Sequence, residues 1–198
     1  MKLLAGLGNP GEKYKKNRHN AGFMLINYIH KKYGRFIIEE NRRIGENFTD
    51  ENDGAEGWKK QDNSNVCTMR GEYNQFVLLK PRTCMNDSGK AILAITKFYK
   101  INPDKILIAH DDLDIKLGEF KIQRGKGPHI HKGILSIEKA LKTEDFWRVR
   151  IGIDNRTAEN RAPGETYVLQ NFTPEEERII KDTFVRISED AGFQLFLS

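Results

Sequence analysis

Apolar residues along the chain recur with two different periods, and the periods alternate. Lys2–Ala5 is a short apolar run that stops at a glycine, as a buried strand does. From Asn20 to Lys32, Phe23, Leu25, Ile26 and Ile29 fall at helical spacing. Gly34 follows as a stop signal, and Arg35–Glu39 could form a further strand. Tyr73–Lys80 reads as a strand closed by Pro81. Asn86-Asp87-Ser88 offers N-cap oxygens to a helix over Lys90–Lys100, with Ile92, Ile95 and Tyr99 on one face. After a turn at Asn102-Pro103-Asp104, the strand Lys105–His110 delivers His110-Asp111-Asp112 at its carboxyl end. Phe120–Arg124 is a strand, and Gly133–Lys142 a short helix. Trp147–Ile153 alternates, with Val149, Ile151 and Ile153 facing one way and Arg148 and Arg150 the other. Thr173-Pro174-Glu175-Glu176 has the cap, proline and acids of a helix start. Strands alternating with helices predict an α/β sheet with helices on both faces. Sites in such sheets form beyond the carboxyl ends of the strands.

The 198 residues suit one domain with a full core. No apolar run approaches the ~20 residues that span a bilayer. The first residues lack the apolar stretch of a signal peptide, so the expected compartment is the cytoplasm. Cys67 and Cys84 lack any metal-type spacing and read as thiols. Net charge is +5, but its distribution is uneven. Phe120–Ile137 contains no acid and carries Lys121, Arg124, Lys126 and Lys132. Lys13, Lys15, Lys16 and Arg18 form a second basic cluster beside His19. Ile44–Trp58 contains no base and five acids, inside a polar stretch over about 41–65 that predicts a long loop with a partial hairpin. A basic face of this kind suits a polyanion such as nucleic acid.

Gly6-x-Gly8-x-x-Gly11 formally matches a dinucleotide-binding turn. Pro10, however, removes a backbone N–H from that turn, and Glu12-Lys13-Tyr14-Lys15-Lys16 lacks the apolar face of a helix packed on a sheet. His19 is a candidate general base, because an imidazole is partly neutral near pH 7 and can take a proton from water. It needs a carboxylate; Asp111, Asp112 and Asp114 all qualify. His129 and His131, with His110 and Asp111, are permissive for a metal without being diagnostic. Ser88 and Cys84 lack the local setting of a nucleophile.

Several segments together resemble the bacterial-type peptidyl-tRNA hydrolases. They are Gly6-Leu-Gly-Asn9-Pro-Gly11 with Tyr14 and Arg18-His19-Asn20, then Lys80-Pro81-x-Thr83-x-Met85-Asn86-x-Ser88-Gly89, then Ala109-His110-Asp111-Asp112-Leu113-Asp114. His131-x-Gly133 and Arg148-x-Arg150-x-Gly152 complete the set in family order. The resemblance implies a single-domain, monomeric α/β protein over residues 1–198 with a twisted mixed sheet, no cofactor and no metal. It implies hydrolysis of the ester between a peptide and tRNA, with His19 as base and Asp111 as its orienting partner. It further implies Asn9, Tyr14, Cys84, Met85, Asn86, His131 and Lys132 along the substrate cleft. Phosphates of the CCA end and acceptor stem would meet Lys121, Arg124, Lys126 and Arg150. Two positions depart from the family pattern: Lys132 stands where an asparagine is usual, and Cys84 where an aromatic residue is usual. Lys132 can bind phosphate but cannot accept a hydrogen bond as an amide oxygen does. These departures leave a non-hydrolytic RNA-binding relative as the alternative.

Overall fold

The structure is a computed structural model that describes residues 1–43, 57–70, 75–128, 130–157 and 162–198. Among these residues seven strands form one mixed sheet: β1 (Lys2–Gly6), β2 (Lys59–Gln61), β3 (Ser64–Arg70), β4 (Gln75–Pro81), β5 (Ile106–Lys116), β6 (Phe120–Arg124) and β7 (Trp147–Asp154). Their spatial order is β2-β3-β4-β1-β5-β7-β6. The central strands β4, β1, β5 and β7 run parallel, and both flanks close antiparallel. No helix among the described residues is long and apolar enough to cross a membrane.

The two-residue period of the strands divides the core. Leu4, Leu78, Leu107 and Ala109 face one side. There they meet α1 (Ala21–Arg43), α5 (Pro174–Glu189) and α6 (Ala191–Leu197) through Leu25, Ile26, Ile29, Ile180, Phe184 and Phe193. Leu3, Ala5, Val77, Leu79, Ile106 and Ile108 face the other side, against Ile92 and Ile95 of α2 (Ser88–Phe98) and Ile134 and Ile137 of α3 (Lys132–Leu141). A one-residue slip in any central strand would exchange these sets, so burial on both faces fixes the register. The C-terminal apolar run docks within the chain, with Phe193 and Phe196 buried.

Three local expectations change. Gly34 does not end α1, which runs 23 residues in all, from Ala21 to Arg43, so Arg35–Glu39 is helix rather than strand. One glycine costs a helix interior about 1 kcal/mol relative to alanine, too little to stop a helix of this length. The predicted capping by Asn86-Asp87-Ser88 makes no side-chain cap bond; α2 starts at Ser88, whose hydroxyl donates to the Met85 carbonyl at 2.9 Å. The strand Lys105–His110 extends to Lys116. The polar stretch over 41–65 falls partly on residues 44–56, outside the described residues. At its end β2 and β3 do form a hairpin, with Asp62 and Asn63 at φ 42° and 57°, the positive values that a two-residue turn needs.

The glycines of the first motif serve close packing. A Cβ on Gly6 would lie 2.3 Å from the Gly22 carbonyl oxygen, and one on Gly22 would lie 2.3 Å from that of Ala109. The start of α1 therefore rests directly on β1 and β5, which brings the residues before it to the carboxyl ends of those strands.

Candidate active site

His19 sits in a short 3₁₀ turn, Arg18–Asn20, immediately before α1. Its backbone N–H donates to the Val168 carbonyl at 2.8 Å, and that of Arg18 to Gln170 at 3.0 Å. The turn is thus pinned to the short segment that follows α4 (Gly164–Tyr167). From β5, Asp111 meets it: His19 Nδ1 lies 2.9 Å from both carboxylate oxygens. Of the three candidate acids, Asp111 is the one in contact with His19. Asp112 instead takes Arg150 Nε at 2.6 Å and the Asp114 N–H at 2.8 Å.

A second imidazole shares the carboxylate. His131 Nε2 lies 3.0 Å from Asp111 Oδ1, while His131 Nδ1 accepts the Ile134 N–H as the N-cap of α3. Because Nδ1 accepts, Nε2 is the nitrogen that donates, so the helix cap fixes the tautomer. His110 lies behind, fully buried, with its ring 4.8 Å from that of His131 and Nδ1 at 2.6 Å from the Asp111 carbonyl oxygen.

Burial by itself would raise the Asp111 carboxyl, but the charges and hydrogen bonds of His19 and His131 outweigh it and hold Asp111 far below the usual carboxylate range. For His19, burial works to lower the pKa; the Asp111 charge and hydrogen bond prevail and raise it above 6.5, with Lys132 opposing them. Burial, with the neighbouring His131, drives His110 well below its ordinary value and keeps it neutral. Ligand atoms of His19, Asp111 and His131 lie within 4.8 Å of one another, close enough to hold a metal ion. Binding one through these atoms would displace the hydrogen bonds that join the three residues. His129 lies outside the described residues.

Asn9 follows β1. It is locked by Asn20, which accepts the Asn9 N–H at 2.9 Å and donates to its carbonyl at 3.0 Å. The Asn9 side-chain oxygen accepts the Met85 N–H at 3.1 Å. Its amide N–H groups are therefore the end left for a ligand. A cavity of about 960 Å³ joins these groups, lined by Asn9, His19, Met85, Asn86, Asp111, His131 and Lys132. Tyr14 and Cys84 do not line it: Tyr14 is half-buried beneath Lys13, and Cys84 is exposed ahead of the Met85–Asp87 turn. The same cavity is also lined by residues that sequence reasoning did not single out, among them Glu165, Val168 and Leu169. Asn20 was within reach, since it lies in the same triplet as His19.

The basic residues divide. Lys121 and Lys126 are exposed, and Arg124 pairs with Asp145 at 2.6 Å on the surface. Arg150 is mostly buried against Asp112, under Gly127. Lys132 and Glu165, both exposed and both lining the cavity, form an ion pair at 2.8 Å.

An imidazole oriented by a buried carboxylate, beside amide donors in an open cavity, has the geometry that a general base needs to activate water for acyl transfer. The sequence of residues 3–196 matches the family model for peptidyl-tRNA hydrolase, and the chain belongs to that family. It is 37% identical over 186 residues to peptidyl-tRNA hydrolase of Neisseria meningitidis serogroup C, covering 94% of this chain and 86% of that protein. It is 35% identical to the enzyme of Acidiphilium cryptum, covering 96% and 88%. The fold is similar to the crystal structure of peptidyl-tRNA hydrolase from Acinetobacter baumannii, with TM-score 0.75 at 30% identity over 93% of this chain and 83% of that one.

Proposed function

We propose that this chain hydrolyses the ester joining a peptide, or an N-blocked amino acid, to the 3′ end of tRNA, releasing the tRNA for reuse. The observation that carries the mechanism is the His19–Asp111 contact at 2.9 Å. Nδ1–H is spent on Asp111, so Nε2 is the nitrogen that takes a proton from water. The resulting hydroxide attacks the ester carbonyl, the imidazolium is stabilised by Asp111, and the proton then passes to the departing ribose oxygen. An ester is an activated acyl group, so no covalent nucleophile is required. The free amide of Asn9 donates to a peptide carbonyl or to the developing oxyanion. Met85, Asn86 and His131 complete the cavity wall. Tyr14 and Cys84 lie outside that wall and act, if the substrate extends that far, on its periphery.

The CCA end enters the cavity while the acceptor stem lies along Lys121, Arg124 and Lys126. Arg150, anchored by Asp112, adds its charge from beneath. The chain works as a monomeric single domain in the cytoplasm. The direct assay is release of free tRNA from N-acetyl-aminoacyl-tRNA. His19→Ala is expected to lower kcat by about 10²- to 10⁴-fold. No turnover by the wild type would leave the non-hydrolytic RNA-binding alternative, and equal turnover by His19→Ala would remove His19 as the base.

A further inference from the structure

Among the described residues two cations, Lys132 and Arg156, line the cavity, and they are held differently. Arg156 is mostly buried and bound through Nε and Nη2 to Asp154, at 2.7 and 3.0 Å, and through Nη1 to the Ala162 carbonyl. Lys132 is 62% exposed and pairs with Glu165 Oε1, whose own side chain is 83% exposed. The other acids on the wall are engaged elsewhere: Asp111 by two imidazoles, Asp112 by Arg150, and Asp114 near the same guanidinium at 3.8 Å. An exposed ion pair adds little to stability, because water screens it and two long side chains lose freedom. The Lys132–Glu165 pair can therefore open at small cost.

The backbone of Lys132, by contrast, is fixed. It is the first residue of α3, directly after His131, whose ring both caps that helix and bonds Asp111. The ammonium therefore swings on a stem rooted one residue from the catalytic cluster. A nucleotide ester presents two features at a set separation: the scissile bond on one side of the terminal ribose, and that nucleotide's own phosphate on the other. A lysine is a compact charge with three rotatable donors, suited to a phosphate at the edge of such a site.

We infer that Lys132 and Glu165 form an exchangeable pair that gives up Lys132 to the phosphodiester of the 3′-terminal nucleotide, so that the site selects esters bearing that phosphate. The inference rests on the hydrolytic reading above for its substrate, but not for its test. The incoming phosphate repels Glu165 into solvent and takes its place on the ammonium. Transfer of Lys132 to an anion also offsets the charge that opposes protonation of His19.

The experiment compares two probes, adenosine and adenosine 5′-methylphosphate, by calorimetric binding to the full chain. The same two compounds, as N-acetylphenylalanyl esters, serve as substrates. Wild type is expected to favour the phosphate-bearing probe about tenfold, the scale of one charge-assisted contact. Lys132→Asn should reduce that preference below twofold, and Lys132→Arg should retain part of it. Glu165→Gln, which frees the ammonium, should raise the preference several-fold. Both side chains are exposed, so these variants keep the fold. An unchanged ratio in Lys132→Asn, or a lower one in Glu165→Gln, overturns the inference. Binding and turnover separate the two claims. A Lys132-dependent preference without ester cleavage keeps the phosphate site and removes the hydrolytic reading. Cleavage with an unaltered ratio does the reverse.

Discussion

The chemistry of the site concentrates on one carboxylate that serves two imidazoles. His19 must be neutral to act as a base, and Asp111 favours its protonated form. Activity should therefore rise with pH through a value above 6.5 rather than at it. Asp111→Asn removes the group that raises His19, leaving burial as the larger influence. The acid limb of the kcat profile should then move to lower pH while the plateau falls by at least about 10²-fold. A kcat–pH profile of both proteins checks this; an unmoved limb would mean that Asp111 does not set the basicity of His19. Stability follows from the same shifts. The Asp111 contribution is complete above its ordinary value of 3.8 and is lost as pH falls through its much lower folded value. The His19 contribution is complete below 6.5 and is lost as pH rises through its raised folded value. Sequence alone offered three acids for His19. The two-residue period of β5 separates them, because Asp111 shares the face of Leu107 and Ala109, on which α1 packs, whereas Asp112 and Asp114 have the other parity. That inference was available in the sequence once the strand was taken past His110. The Lys132–Glu165 contact was not available, since it depends on how the chain returns after β7.

At the scale of elements, the start of α5 supports the turn that carries His19. Thr173 and Glu176 form a capping box, as the Thr-Pro-Glu-Glu pattern predicts. The same Glu176 carboxylate has a second use that the pattern does not reveal. Arg18 Nη2 reaches both its oxygens at 2.6 and 2.7 Å, and Asn155 donates to it at 2.6 Å. The Arg18 guanidinium also lies 4.4 Å from the ring centre of Tyr167 and 5.2 Å from that of Phe172. Arg18 directly precedes His19, so a helix cap 158 residues away braces the base. Glu176→Gln keeps a side chain able to close the capping box but leaves Arg18 without its counter-charge in a buried place. We expect a loss of about 3 kcal/mol and a lower kcat. Thr173→Ala, which removes a cap bond without touching Arg18, should cost about 1 kcal/mol with kcat nearly unchanged. Urea denaturation and steady-state kinetics on both variants test the difference. Equal effects on kcat would show that the brace acts through fold stability alone.

At the scale of the molecule, the alternation of periods was enough to place the four central strands and the two-faced sheet, because burial on both faces marks them, but it misread Arg35–Glu39 as a strand and did not mark β3. Strand order was not legible. Periodicity carries no record of which strands pair, and β1 lies between β4 and β5 in space while preceding both in sequence. Charge was legible as a cluster, but its division into free and committed cations required the packing. The resemblance places Arg150 among the phosphate contacts, yet it is anchored to Asp112, whereas Lys121 and Lys126 stand in solvent. This division makes a quantitative prediction about substrate length. Exposed lysines bind phosphate by displacing counterions, so each contributes to the salt dependence of binding a whole tRNA. Replacing both Lys121 and Lys126 by alanine should reduce the magnitude of the slope of log affinity against log salt by about 1.4–1.8. Hydrolysis of a short adenosine ester, which cannot reach these positions, should keep the salt response of the wild type. The measurement is KM for N-acetyl-aminoacyl-tRNA and for the short ester over a salt series. A wild-type slope in the double variant would move the acceptor stem away from the 120–126 face. A changed response with the short ester would mean that these lysines act on the catalytic cluster rather than on the RNA.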